Sequence, residues 1–82
     1  MSAVRDVVEV LARALTDQPD QVHVAVSPGK GTTLVELFVA PGELGKVIGK
    51  QGRTAAALRT LAATAGEKDG TAVTLEIRDG KP

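Results

Sequence analysis

Val4, Val7, Val8, Leu11 and Leu15 recur at helical spacing, with Arg5, Asp6, Glu9 and Arg13 falling between them. One apolar side and one charged side predict an amphipathic helix from Val4 to Leu15. Ser2 stands where a side chain caps such a helix. Asp17-Gln18-Pro19-Asp20 ends it, because proline cannot continue a helix and restrains the residue before it. From Gln21 to Ser27 the period changes to two: Val22, Val24 and Val26 share one face, and Gln21, His23, Ala25 and Ser27 the other. That is the alternation of a half-buried strand. Pro28-Gly29-Lys30-Gly31 reads as a turn. A second strand follows over Thr32 to Val39, with Val35, Leu37 and Val39 on one face and Leu34, Glu36 and Phe38 on the other. Two strands around so short a turn predict a hairpin.

Ala40-Pro41-Gly42-Glu43 reads as a helix entry, with proline early and an acid in the first turn. Leu44, Val47 and Ile48 can share a face of a short helix that Gly49 ends. After Gly52, the residues Ala55, Leu58, Leu61, Ala62 and Ala65 form the narrow apolar side of a longer helix, with Gly66 as its natural stop. Thr71 to Arg78 is the last strand, with Val73, Leu75 and Ile77 inward, and Asp79 to Pro82 reads as a flexible tail. The order is helix, strand, strand, helix, helix, strand. Hairpin strands are antiparallel, and a strand that returns after a helical crossover suits parallel pairing. The fold class is therefore α+β: a three-stranded mixed sheet with helices on one face, in a single domain over residues 1–78.

Composition adds exclusions. The chain lacks cysteine, so disulfides and thiolate metal sites are excluded, and its single histidine, His23, makes a metal site improbable. No apolar run approaches the ~18 residues of a membrane span. Arg5, Asp6 and Glu9 interrupt the N-terminal apolar pattern, so no secretory signal is expected and the chain is expected to be soluble and cytoplasmic. Lysine plus arginine and aspartate plus glutamate both number 10, for a net charge of zero. Charge is nonetheless segregated: from Leu44 to Gly66 the charged residues are Lys46, Lys50, Arg53 and Arg59, with no acid among them. A basic patch on a neutral chain is thus expected.

That patch surrounds Gly49-Lys50-Gln51-Gly52. Gly-x-x-Gly here fits neither rival phosphate motif. A P-loop needs four residues between its glycines and a hydroxyl after the lysine; Gly45 and Gly49 enclose three, and Gln51 follows Lys50. A dinucleotide fingerprint needs glycine where Val47 stands, directly after a strand. What remains is a sharp turn between two helices. Its backbone amides, the start of the next helix and the Lys50 charge would converge on one phosphate, with Val47 or Ile48 and the strand end at Val39 flooring an apolar groove. Such a site suits splayed single-stranded RNA. Lys46 and Arg53 are the next candidates for phosphate contacts, while Arg59 stands a turn or more beyond. Glu43 is the nearest acid and has its simplest role at a helix start. Neither a nucleophile triad nor clustered carboxylates suggest catalysis.

Val47-Ile48-Gly49-Lys50-Gln51-Gly52, followed by a helix carrying Arg53 and Leu58, resembles the signature of a KH domain, and the order of elements matches its type II (prokaryotic) form. Ala40-Pro41 and then Gly45 to Ala55 are especially similar to the small bacterial single-KH proteins of the KhpA (YlqC) type. The resemblance covers Val4 to Arg78. It implies non-catalytic RNA binding with no cofactor, and a backbone clamp of Gly49, Lys50, Gln51 and Gly52. It also implies pairing with a larger KH protein of the KhpB (Jag) type, and an RNA-chaperone role linked to cell-wall growth and cell shape. A single groove takes ~4 nucleotides, so a homodimer would gain by avidity. The alternative is a protein-interaction module with a vestigial groove, suggested by the neutral charge and by an uncovered Leu34–Phe38 sheet face.

Overall fold

The computed structural model of the protein describes residues 3–82, so the Ser2 cap lies outside the described residues. Helix α1 spans Ala3–Leu15, strand β1 His23–Pro28 and strand β2 Thr32–Val39. Helix α2 spans Leu44–Ile48, helix α3 Arg53–Lys68 and strand β3 Ala72–Asp79. The sheet order is β1-β2-β3, with β1 antiparallel and β3 parallel to the central β2. This is the α+β, three-stranded mixed sheet expected from the periodicities.

The core forms where the two periods meet. Val4, Val8 and Ala12 of α1, and Leu58, Ala62 and Ala65 of α3, pack on Val22, Val35, Leu37, Val39 and Leu75 of the sheet layer. Each fully buried Val or Leu side chain contributes ~1.5–3 kcal/mol relative to exposure, so these contacts dominate the fold. Val47 joins them at 0% exposure and anchors the short α2.

Local chemistry moved several boundaries. The segment before β1 is a 3₁₀ turn, Pro19–Gln21, with the Val22 amide donating to the Pro19 carbonyl. Pro41 precedes α2 instead of opening it. The Glu43 amide donates to the Ala40 carbonyl at 3.0 Å and Gly42 has φ +86°, so Pro41-Gly42 occupies the centre of a turn of type II character. Gly66 does not stop α3. It is buried within the helix, and a Cβ there would come within 2.8 Å of the Thr71 carbonyl oxygen. Glycine at this point is what lets α3 run against β3. The stop is Gly70, at φ +75°: its amide donates to Glu67 O at 3.1 Å and the Thr71 amide to Gly66 O at 2.9 Å. That pair of bonds is the Schellman closure. β3 reaches Asp79, and the Gly80 amide donates to Val39 O at 2.8 Å.

Two side chains depart from their expected faces. Phe38 lies on the sheet side opposite the core but is only 7% exposed. It occupies the central strand, and its ladder neighbours His23 and Arg78 flank it on both sides. An open Leu34–Phe38 binding face is therefore not present in the form expected. Leu61 is 45% exposed rather than inward. At about 100° per residue it sits at the margin of the buried α3 stripe.

Candidate nucleic-acid interface

The order of elements places a five-residue helix directly before the glycine loop and a 16-residue helix directly after it. Gly49 leaves α2 at φ +76°, ψ 172°, a combination open essentially to glycine alone. A Cβ there would also overlap the Thr54 hydroxyl and stand 2.7 Å from the Thr54 Cβ. Both backbone angle and space thus demand glycine. Gly52 has φ +72°, ψ 13°, but a Cβ there would meet nothing within 4 Å. Between them Gln51 adopts φ +58°, ψ 23°, the sole non-glycine residue with positive φ among the described residues. Strain of this kind costs ~1–2 kcal/mol and clusters at functional loops.

The loop's hydrogen bonds sort its amides. Gly49 donates to Gly45 O at 2.9 Å and Gly52 to Gly49 O at 3.1 Å, and the Arg53 amide donates to Lys50 O. Among the described residues the amides of Lys50 and Gln51 have no backbone partner of this kind, as at the start of any turn. The Lys50 side chain is exposed, with no hydrogen bond or ion pair among the described residues. Arg53 donates from Nη2 to Gln51 Oε1 at 2.9 Å, so its guanidinium stands over the loop. Arg59 is exposed further along α3.

Lys46 and Val47 occupy different settings. The Lys46 ammonium bonds Asp17 and lies 3.3 Å from Glu43 Oε2. Nothing local in the sequence announced that pairing, since Asp17 and Lys46 are 29 residues apart. A phosphate would have to compete with two carboxylates for this lysine. Val47 is a core residue and cannot face a base directly; it holds α2 from beneath, as Val39 holds the strand end. Ile48, half-buried, is the apolar α2 residue that reaches the surface beside the loop.

Glu43 does more than begin a helix. It makes no capping bond to α2, and its residue is 6% exposed. Oε1 accepts the Thr16 hydroxyl at 2.5 Å and the Asp17 amide at 2.7 Å. The Thr16 hydroxyl bond above all, then the Asp17 amide, hold the Glu43 carboxyl below its ordinary pKa against the opposing effect of burial, with Lys46 adding to them. The Asp17 bond first, then Glu43, raises the Lys46 ammonium above its own. A lowered carboxyl stabilises the fold above its unfolded pKa, ~4.3, and loses that contribution as pH falls through the folded value. A raised ammonium stabilises below ~10.4 and loses its contribution as pH rises through the folded value. Thermal melts should therefore show a constant deficit for Glu43→Gln between about pH 6 and 9, shrinking as the pH drops below about 4. A deficit unchanged at acid pH would remove Glu43 ionisation from the stability of this corner.

A second surface was not foreseen. Val7, Val10, Leu11 and Leu61, with Asp6, line an open cleft of about 410 Å³ between α1 and α3. Val10 is 66% and Leu15 37% exposed. The signal available was a second apolar stripe on α1, Val7-Val10-Leu11-Ala14, beside the one that enters the core.

His23 is exposed on the outer sheet face, and no group of three His, Cys, Asp or Glu side chains able to hold a metal exists among the described residues. No helix among them is long and apolar enough to cross a membrane.

Comparison with known proteins bears on the whole chain. The solved structures of Era are similar in fold. Aquifex aeolicus Era superposes with a TM-score of 0.61 at 19% identity. Era in complex with MgGDPNP and nucleotides 1506–1542 of 16S ribosomal RNA superposes with a TM-score of 0.62 at 24% identity. Each match covers 93% of this chain but only 29% of the Era chain. The chain is 53% identical over 77 residues to RNA-binding protein KhpA of Aquifex aeolicus, covering 94% of this chain and 98% of that one. It is 44% identical over 73 residues to RNA-binding protein KhpA of Clostridium perfringens, covering 89% and 97%. For RNA-binding protein KhpA of Treponema pallidum the identity is 46% over 74 residues, covering 90% and 92%. The family model for the KhpA/KhpB KH domain matches residues 5–77, all six helices and strands included at least in part, and the chain belongs to that family.

Proposed function

We propose that this protein is a non-catalytic RNA-binding protein of the cytoplasm that grips the backbone of single-stranded RNA through Gly49-Lys50-Gln51-Gly52. The single observation that carries the reading is the loop itself. Two left-handed residues and a glycine-only turn leave the Lys50 and Gln51 amides and the Lys50 ammonium clustered at the entrance to α3, with no partner among the described residues. An anion there gains both amide hydrogen bonds and the positive end of a 16-residue helix. Arg53 adds a second cation, and Ile48 gives an adjacent base an apolar contact. Lys46 contributes only to the extent that phosphate displaces its carboxylates. The relatives' name, RNA-binding protein KhpA, favours the same ligand. Fluorescence anisotropy with a labelled single-stranded oligoribonucleotide tests this. Affinity should fall with salt by ~0.7 log units per contacted phosphate for each tenfold rise. A slope of zero would mean that no phosphate is held.

The same proposal includes self-association, with two copies meeting at the α1–α3 cleft and presenting two loops to one RNA. Exposed Val10, Leu15 and Leu61 support it, because one contiguous apolar surface is what an interface buries. A KhpB (Jag)-type KH protein is the heterologous partner that the family affiliation suggests, and an RNA-chaperone role linked to cell-wall growth and cell shape is the physiological setting we assign. Leu61→Glu should leave folding intact, since the side chain is already 45% exposed, and should convert the dimer to a monomer in analytical ultracentrifugation. An unchanged sedimentation coefficient would place the interface elsewhere.

A further inference from the structure

We propose that Glu43, with Thr16, is a positioning residue for the RNA loop: it ties the end of α1 to the root of α2 and so fixes where Lys50 and Gln51 point. The inference rests on the loop reading above. A five-residue helix has too few internal hydrogen bonds to hold itself in place. Two things hold α2. One is Val47 in the core, which fixes its depth. The other is the network at its root, which fixes its direction. There the Glu43 carboxylate accepts from the Thr16 hydroxyl and the Asp17 amide, and Thr16 in turn accepts from the Gln18 amide at 3.1 Å. Lys46 closes the ring by joining Glu43 to Asp17. Asp17, just after α1, and Lys46, on α2, are the titratable residues that meet Glu43.

Thr16 and Glu43 are only 7% and 6% exposed, and they are the buried polar residues of the described chain. Every buried polar side-chain atom among the described residues has a partner. Burying a carboxylate is costly, and an apolar pair of equal volume would stabilise the corner as well or better. What two charge-assisted bonds converging on the one oxygen Oε1 supply is one orientation rather than many. The lever matters because α2 is ~8 Å long at 1.5 Å per residue, so a tilt of about 15° at its root moves the loop by ~2 Å. A displacement of that size degrades a preorganised site.

The test compares Glu43→Ala with Glu43→Gln. Both remove the same charge, but glutamine keeps an oxygen that can accept from Thr16 and Asp17. Two readouts are taken: amide hydrogen exchange, without RNA, of Gly49, Gly52 and Arg53, whose amides are hydrogen-bonded within the loop, and binding of a labelled octauridylate across a salt series. In Glu43→Ala, loop exchange should quicken ~10-fold while the Val35 and Leu37 amides stay protected. Affinity should fall about tenfold, with a salt slope shallower by ~0.7 for a lost phosphate contact. Loss of active protein alone would leave that slope unchanged. Glu43→Gln should recover most of both effects. Should Glu43→Ala fail to fold, Thr16→Ala, which leaves the carboxylate its Asp17 and Lys46 partners, must show the same changes at smaller size. Wild-type exchange and wild-type slope in a folded Glu43→Ala or Thr16→Ala overturns the positioning role. Absence of octauridylate binding by the wild type would instead count against the loop reading, and the exchange data would still decide whether Glu43 orders the loop.

Discussion

Replacing Lys50 and Gln51 together by aspartate is expected to weaken single-stranded RNA binding by ~100-fold or more at physiological salt while the fold survives. Both side chains are exposed, so no packing is lost. Gln51 sits at φ +58°, ψ 23°, and aspartate tolerates that left-handed region better than most residues. Acids just ahead of α3 also interact favourably with its N-terminus, so stability should hold or rise slightly. The ligand meets the opposite situation. One cation is lost, two anions are added, and the new carboxylate at 51 can neutralise Arg53, which now reaches Gln51 Oε1. Circular dichroism and anisotropy on the same sample report fold and affinity. Undiminished binding by a folded variant would remove this loop from the site.

Gly49→Ala should be the most damaging single change in the loop, and damaging to the fold as well as to binding. Alanine at φ +76°, ψ 172° is strained, and its methyl would overlap the Thr54 hydroxyl and crowd the Thr54 Cβ at 2.7 Å. Rotating Thr54 does not move its Cβ, so the backbone must shift. Strain and overpacking together amount to about 2–5 kcal/mol. A chain of this size has ~4–12 kcal/mol in all, so the melting temperature should drop by more than about 10 °C. Gly52→Ala is the internal control. Its φ of +72° is also left-handed, but the added methyl has open space. About 1–2 kcal/mol is expected there. Equal melting temperatures for the two variants would mean that the Gly49–Thr54 contact does not constrain the loop.

Much of this architecture was legible because local periods report which face an element buries. Val22-Val24-Val26, Val35-Leu37-Val39 and Val73-Leu75-Ile77 fixed three strands, and the glycines around Lys50 marked the loop without any knowledge of tertiary structure. Other features have no local signature. Period two put Phe38 on the outer face, but its burial depends on His23 and Arg78 flanking it from two other strands. Gly66 reads as a stop in one dimension; only the approach of α3 to Thr71 and Val73 shows why glycine is needed there. The stretch from Leu44 to Gly66 is free of acids along the chain, yet Asp17 and Glu43 come to Lys46 in space. The apolar groove was anticipated with Val47 at its floor, whereas a side chain at helical spacing with Leu44 serves the core first. The loop's residue types were therefore readable, and the way its neighbours hold it was not.

The most direct test of the account is to follow the backbone amide signals of the isotope-labelled protein as a short single-stranded oligoribonucleotide is added. The amides of Lys50 and Gln51, which lack backbone partners, should show the largest shifts, followed by Arg53 and Ile48. Perturbation confined to the α1–α3 cleft or the outer sheet face, with Lys50 and Gln51 unmoved at saturation, would contradict it.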